Sequence, residues 1–326
     1  MNVTIYPGRP RGTVAAPPSK SCGHRMLLCS ALAAGESRIT GISRSQDMAA
    51  TMDCIRAMGG GCRLEGDTAY VTGTGGHAAA DAVYPCRESG STLRFFIPPA
   101  LVPAGRAVFT GTLRLLERGV GIYETILPEK GVSVEKTSDS VVFRGALAAG
   151  DYVLRGDVSS QFITGLLLAL PRLAGDSEIV VTTPLESRAY VELTRRVQRD
   201  FGVASEWRNK GKTLFIPGGQ EIVSPGNLHI EGDWSHAAFY LTAGAIGHGE
   251  IRLTGLDPHS AQGDRAMVEI LRDMGADIRR EGDELVSRAS KLHGLHVDCA
   301  QIPDLVPILA VAMAAAEGES RITGAA

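Results

Sequence analysis

The chain has 326 residues, 44% of them hydrophobic and 21% charged, and a net charge of −3. The length exceeds one comfortable core and predicts two domains of ordinary globular composition, while the charge argues against nucleic-acid binding as the main activity. No run of about 18 apolar residues occurs, so no membrane span is expected. Cys22, Cys29, Cys54, Cys62, Cys86 and Cys299 form no CxxC pair and no zinc spacing, and the start Met1-Asn2-Val3-Thr4-Ile5 lacks the basic and apolar regions of a signal peptide. Both features predict a cytoplasmic protein.

In chain order, Pro17 and Pro18 disfavour helix, and Ser19 can then cap a helix that runs through Met26-Leu27-Leu28-Cys29-Ser30-Ala31-Leu32. Lys20 falls in its first turn. Ser21 and Arg25, four residues apart, share a face, so two cations and a hydroxyl join the free N–H groups of a helix start. That is a site for an anion, with a solvated, capped helix end as the competing reading.

The heptapeptide Gly35-Glu36-Ser37-Arg38-Ile39-Thr40-Gly41 recurs, identical, from Gly318 to Gly324, and looser copies start at Gly105, Gly175 and Gly249. Between them lie amphipathic helices ending in glycine: Met48 to Met58 before Gly59, Ile122 to Lys130 before Gly131, Tyr190 to Phe201 before Gly202, and Met267 to Met274 before Gly275. Both series keep a period of roughly 70 residues, so the chain is an internally repeated α/β protein whose unit reads helix, strand, helix, strand, strand. Glycine after each last turn suits a left-handed cap. The period also places a fifth unit from about Gln301, with a helix from about Pro303 to Ala316, so the sequence is expected to stop within a folding unit, as a truncated chain would.

Several helix starts could carry chemistry. Glu88-Ser89-Gly90-Ser91-Thr92-Leu93-Arg94 lets a ligand approach the backbone at Gly90. Arg114 can grip a carboxylate or phosphate, although pairing with Glu117 or Glu124 competes. Ser159-Ser160-Gln161 precedes the apolar run Phe162 to Leu170; Ser187 and Tyr190 open another helix; Asp304 stands in the first turn of an apolar helix, where it also complements the dipole. No strong metal-ligand spacing and no GxxxxGK[ST], GxGxxG or GxSxG motif occurs, which favours a reaction without metal or cofactor.

Pro18-Ser19-Lys20-Ser21 with Arg25, Ser89-Gly90 with Arg94, Arg114 with Arg118, Ser159-Ser160-Gln161, and Pro303-Asp304 stand in the order of the motifs of the 5-enolpyruvylshikimate-3-phosphate synthase family, which the chain resembles over essentially its whole length. The resemblance implies an α/β, two-domain enolpyruvyl transferase fold, an inverse α/β barrel or prism of repeated βαβαββ units. Residues 19–231 would form a complete three-unit domain, and residues 1–18 with 232–326 a second, incomplete one. It implies transfer of the enolpyruvyl group of phosphoenolpyruvate to the 5-hydroxyl of shikimate 3-phosphate, in the pathway to chorismate and the aromatic amino acids. Lys20, Ser21, Arg25, Ser159, Ser160, Gln161, Ser187 and Asp304 would contact shikimate 3-phosphate. Lys20, Gly90, Arg114 and Gln161 would face phosphoenolpyruvate with Tyr190 nearby, and Asp304 and Lys20 would be catalytic, Asp304 as proton acceptor.

By the same resemblance no cofactor, metal, nucleic acid or membrane is involved, and the full-length protein is a monomer. The chain departs from the family's pattern at Glu88, usually asparagine, and at Leu113 and Gly119, often prolines. The family's Lys-Glu-Ser-Asp-Arg-like motif and later phosphoenolpyruvate-binding cations would fall beyond Ala326, so the 326 residues are expected to be inactive alone. A non-catalytic fragment that binds phosphate ligands is one alternative. UDP-N-acetylglucosamine enolpyruvyl transferase is another, disfavoured because no cysteine lies between Cys86 and Cys299; an RNA-phosphate cyclase is weaker, for want of a nucleotide-binding signal.

Overall fold

The computed structural model describes residues 3, 4, 6 and 8–325. Met1, Asn2, Ile5, Pro7 and Ala326 lie outside the described residues, and with them part of the opening stretch and the chain end discussed above. The chain gathers into two compact units, Lys20–Ile230, and Met1–Ser19 with Glu231–Ala326.

Lys20–Ile230 holds three repeats, each a four-stranded sheet with helices between its strands. The second repeat orders its strands Asp81–Pro85, Gly105–Thr110, Ser140–Gly145, Ser133–Lys136 in space, and the third Gly150–Leu154, Ser177–Val181, Thr213–Ile216, Glu206–Arg208. In both, the first two strands are parallel and the others antiparallel. The first repeat follows the same plan, but its leading strand comes from the far end of the unit: Asn227–His229 lies parallel to Glu36–Thr40, which pairs with Thr68–Thr72 and then Gly61–Glu65. A three-residue strand has no periodicity of its own, so the sequence could not announce this exchange.

The other unit repeats the device. Gly12–Ala15 lies parallel to Ile251–Thr254, and Glu284–Arg288 and Asp277–Glu281 complete the sheet. A further parallel pair joins His296–Asp298 to Arg321–Thr323. Within this unit the two segments that lead toward the other one run side by side: Ser19 N–H donates to Glu231 O (2.9 Å) and Asp233 N–H to Pro17 O (2.8 Å). Gln262 ties both, accepting from Ser19 Oγ at 3.1 Å and donating to Gly232 O at 2.9 Å.

The first helix of each repeat in Lys20–Ile230 is buried over most of its surface: Lys20–Leu32, in spite of His24 and Arg25, and the largely apolar Gly90–Ala100 and Ser160–Ala169. The last two cross closely. A Cβ on Gly165 would lie 2.1 Å from Tyr123 Oη and 2.4 Å from Arg94 O, so only glycine fits. Pro98 denies the Arg94 carbonyl its helical N–H, and the Tyr123 hydroxyl donates to it instead at 2.9 Å. Gly59, Gly131, Gly202 and Gly275 each take the left-handed conformation expected of them.

Two expectations about elements need correction. The helix expected from Ile122 to Lys130 is Gly121–Ile126 followed by a 3₁₀ turn at Pro128–Lys130, because Pro128 lacks the N–H that would continue it. Arg114 lies on a short helix, Leu113–Arg118, capped by Thr112. The helix expected from Pro303 to Ala316 opens with a 3₁₀ turn, Pro303–Leu305, and continues as Val306–Ala314.

Candidate active site

The repeat places every candidate side chain at one topological point, the start of a helix that follows a strand. In Lys20–Leu32, Lys20 is the first residue, half-exposed, with Nζ 3.1 Å from Asp47 Oδ2. Arg25, one turn on, is 2% exposed. Its Nε donates to Thr194 Oγ1 (2.8 Å), Nη1 to Ser21 O (2.7 Å), and Nη2 to Tyr190 O (3.1 Å) and Thr164 Oγ1 (3.4 Å). The guanidinium also sits 5.0 Å from the Phe95 ring centroid and 5.8 Å from that of Tyr190. Every one of these partners is neutral. Among the described residues no carboxylate pairs with Arg25, and burial pushes its pKa down to about 10, so the side chain stays a buried cation at neutral pH. The sequence placed Ser21 and Arg25 on one face correctly, but that face turns inward.

In Gly90–Ala100, Ser89 caps the helix, accepting from Thr92 N–H at 3.2 Å. A Cβ on Gly90 would lie 3.9 Å from both Arg94 Nη1 and Gln161 Oε1 and 4.0 Å from Leu115, so the glycine leaves room beside those groups. Arg94 Nη1 donates to Gln161 Oε1 (2.7 Å) and Nη2 to Gly119 O (3.3 Å). Gln161 Nε2 donates in turn to Ser91 Oγ at 3.2 Å. Thus Gly90, Gln161 and Arg94 meet beside the Leu113–Arg118 helix. Arg114 on that helix is exposed and makes no ion pair among the described residues, with neither Glu117 nor Glu124; Glu124 binds Lys136 instead.

Ser160–Ala169 begins at the cap Ser159, whose Oγ accepts from Gln161 N–H at 3.3 Å. Ser160, the first residue of that helix, is 5% exposed. Ser187, before Arg188–Asp200, has φ +53° and gives the helix no side-chain cap. A serine held in the left-handed region is strained, and strain of this kind gathers at functional sites. Ser187 is joined to the Arg25 cluster through the helix it precedes: its carbonyl accepts from Tyr190 N–H, and Arg25 donates to Tyr190 O and Thr194 Oγ1.

Asp304 belongs to the other unit, exposed in the first turn at Pro303–Leu305. That turn and Gly263–Ala266 both pack against the Trp234–Ile246 helix. Asp233 caps this helix, accepting from His236 N–H at 2.9 Å. Asp264, 2% exposed, accepts from the Ser235 hydroxyl. Burial pushes the Asp264 pKa up to about 6, and the carboxylates of Asp304 and Asp233 add to the rise.

Sequence reasoning gave no role to Arg94, Asp47 or Asp264. Arg94 stood inside a quoted motif, and its four-residue spacing from Gly90 was a usable signal. Asp264 sits in a 3₁₀ turn without period, and no local pattern marks it. Among the described residues no group of three or more His, Cys, Asp or Glu could hold a metal ion, and no helix is long and apolar enough to cross a membrane.

Comparison with known proteins accounts for this arrangement. The family model described as EPSP synthase (3-phosphoshikimate 1-carboxyvinyltransferase) matches residues 6–326. The 3-phosphoshikimate 1-carboxyvinyltransferases of Clostridium perfringens and Clostridium kluyveri are each 39% identical over 326 residues, covering 98% and 99% of this chain and 76% of each relative. Among solved structures, EPSP synthase from Acinetobacter baumannii superposes with a TM-score of 0.78 at 26% identity, over 98% of this chain and 75% of that one. The enolpyruvyl transferase NikO from Streptomyces tendae shares the fold, with a TM-score of 0.74 at 19% identity over 96% and 75% of the two chains. The repeated α/β architecture is therefore the enolpyruvyl transferase fold, and the chain belongs to the EPSP synthase family, enzymes of enolpyruvyl transfer in the shikimate pathway.

Proposed function

We propose that the protein joins phosphoenolpyruvate to the 5-hydroxyl of shikimate 3-phosphate, and that the helix starts of Lys20–Ile230 hold both anions. Lys20, Ser21, Arg25, Ser159, Ser160, Gln161 and Ser187 take shikimate 3-phosphate; Lys20, Gly90, Arg114 and Gln161 face phosphoenolpyruvate. Asp304 accepts the proton of the 5-hydroxyl as its oxygen bonds to C2 of phosphoenolpyruvate and C3 takes up a proton. The intermediate then loses phosphate from C2 and a proton from C3, which restores the vinyl group. Cations beside the phosphate and carboxylate stabilise the charge that builds up at C2.

The observation that carries this reading is Arg25: a buried cation whose protein partners are all neutral, in a helix that opens with Lys20 and Ser21. A buried charge is costly without an opposite one, and a phosphate or carboxylate supplies it. We take the two compact units as the two domains, 19–231 and 1–18 with 232–326. Action as a monomer is supported by the leading strands Gly12–Ala15 and Asn227–His229, which complete their sheets from the same chain. A cytoplasmic location is supported by six free cysteines.

The test is ³¹P NMR of the purified protein with both substrates. Inorganic phosphate and a new enol ether should appear together, and only when both substrates are present. Phosphate released from phosphoenolpyruvate alone, or no shift of either substrate's resonance, would refute the reading.

A further inference from the structure

A line of four polar side chains that the proposed chemistry leaves unused runs through the apolar interior of Lys20–Ile230, from the first repeat to the second. His24 Nδ1 lies 2.7 Å from Thr51 Oγ1, Thr51 Oγ1 2.8 Å from Thr92 Oγ1, and Thr92 Oγ1 2.7 Å from Ser89 Oγ. The four residues are 2%, 1%, 0% and 2% exposed in that order. Polar groups this deep are expensive unless satisfied, and a complete chain of them fixes one arrangement.

Counting protons gives the chain a direction. His24 Nε2 is buried with no partner. With the proton on Nε2, a buried N–H would be orphaned; with the proton on Nδ1, only a lone pair is, and orphaned acceptors are the more readily tolerated. His24 Nδ1–H therefore donates to Thr51, Thr51 to Thr92, and Thr92 to Ser89. Ser89 Oγ, which also accepts the Thr92 N–H, keeps its own proton at the end of the chain, one residue before Gly90. Burial, with the charges of Lys20 and Arg25, pushes the His24 pKa down to about 3, so the ring stays neutral across the working range.

We infer that His24, acting through Thr51 and Thr92, is a positioning residue for phosphoenolpyruvate: it locks the Ser89 cap, and with it Gly90 and the free N–H groups at the start of Gly90–Ala100. The inference rests on the proposed reading of Gly90 as facing phosphoenolpyruvate. His24 itself touches no substrate. Its contribution is equal in ground and transition states, so it belongs in KM rather than kcat.

An asparagine side chain places its N–H where Nδ1–H stood, whereas glutamine reaches the position of Nε2. Steady-state kinetics should therefore separate the variants. His24→Asn should keep the KM for phosphoenolpyruvate within about threefold, while His24→Gln, Thr51→Val and Thr92→Val raise it about tenfold, with kcat and the KM for shikimate 3-phosphate nearly unchanged. The double variant His24→Gln/Thr92→Val should be no worse than the poorer single one, since both cut the same chain. Long-range ¹H–¹⁵N spectra should show His24 neutral and protonated on Nδ1 from pH 5 to 9. A histidine protonated on Nε2, or a rise of both KM values together, would overturn the inference and leave the line as packing. Gly90→Ala serves as control. If it raises the KM for phosphoenolpyruvate while His24→Gln does not, the positioning chain fails alone; if neither does, the reading of Gly90 fails and takes the inference with it.

Discussion

The same point of the repeat carries opposite chemistry in the two units. In Lys20–Ile230 the first helices open with Lys20, with Ser89 and Gly90, and with Ser159 and Ser160; in the other unit they open with Asp233 and, within the leading 3₁₀ turn, with Asp304. An aspartate at a helix start follows local physics, capping free N–H groups and complementing the dipole by about 0.3–1 kcal/mol. A lysine there opposes the dipole, and its half-exposed pair with Asp47 offsets little of that. Where natural proteins break such a rule the reason is often functional, whereas a rule obeyed marks nothing out. On the proposed reading Lys20, Arg25 and Ser187 bind shikimate 3-phosphate, while Asp304, exposed in a first turn, also complements its helix dipole.

The contrast can be broken most strongly at Arg25. Arg25→Met removes the buried cation and several hydrogen bonds, each charged bond contributing about 1.5–3 kcal/mol. Calorimetry should show shikimate 3-phosphate binding weakened about 100-fold; unchanged affinity would make Arg25 a structural strut.

Acid titration sharpens the contrast next, because the two units respond with opposite sign. His24 is depressed from 6.5 to about 3 in the folded state, so its neutral burial stabilises the protein above pH 6.5 and that stability is lost as pH falls toward 3. Asp264 is raised from 3.8 to about 6, so its contribution is present below pH 3.8 and lost as pH rises through 6. Urea unfolding from pH 3 to 7 should show His24→Asn flattening the acid loss by up to about 1.4 kcal/mol per pH unit, and Asp264→Asn steepening it. A common direction for the two variants would contradict the assignment.

The smallest effect is at Ser187. Ser187→Gly relieves a left-handed serine and should raise the unfolding free energy by roughly 0.5–1 kcal/mol, while shikimate 3-phosphate binding weakens about tenfold for want of the hydroxyl. Stabilisation without loss of affinity would leave the strain unexplained by function.

Much of the architecture was legible because it depends on local periodicity. Glycine caps at Gly59, Gly131, Gly202 and Gly275, and apolar helices after polar starts, repeat often enough to be read without a partner. The exchanged strands Gly12–Ala15 and Asn227–His229 were not legible, since their identity lies in distant pairing partners. The site divides in the same way. Spacing put Ser21 and Arg25 on one face but could not say that Arg25 turns into the core toward Thr164 and Thr194, residues of another repeat. The Leu113–Arg118 helix was hidden by its length, and Asp264 by an irregular turn.

Asp304→Ala tests the account most directly, because it separates a base from a carboxylate that only complements a helix dipole. The protein should bind shikimate 3-phosphate within about threefold of the parent, while kcat falls by roughly 10²–10⁴, the usual contribution of a positioned general base. If turnover survives the substitution, or if binding and turnover fall together, Asp304 is not the proton acceptor and the acidic helix start is structural after all.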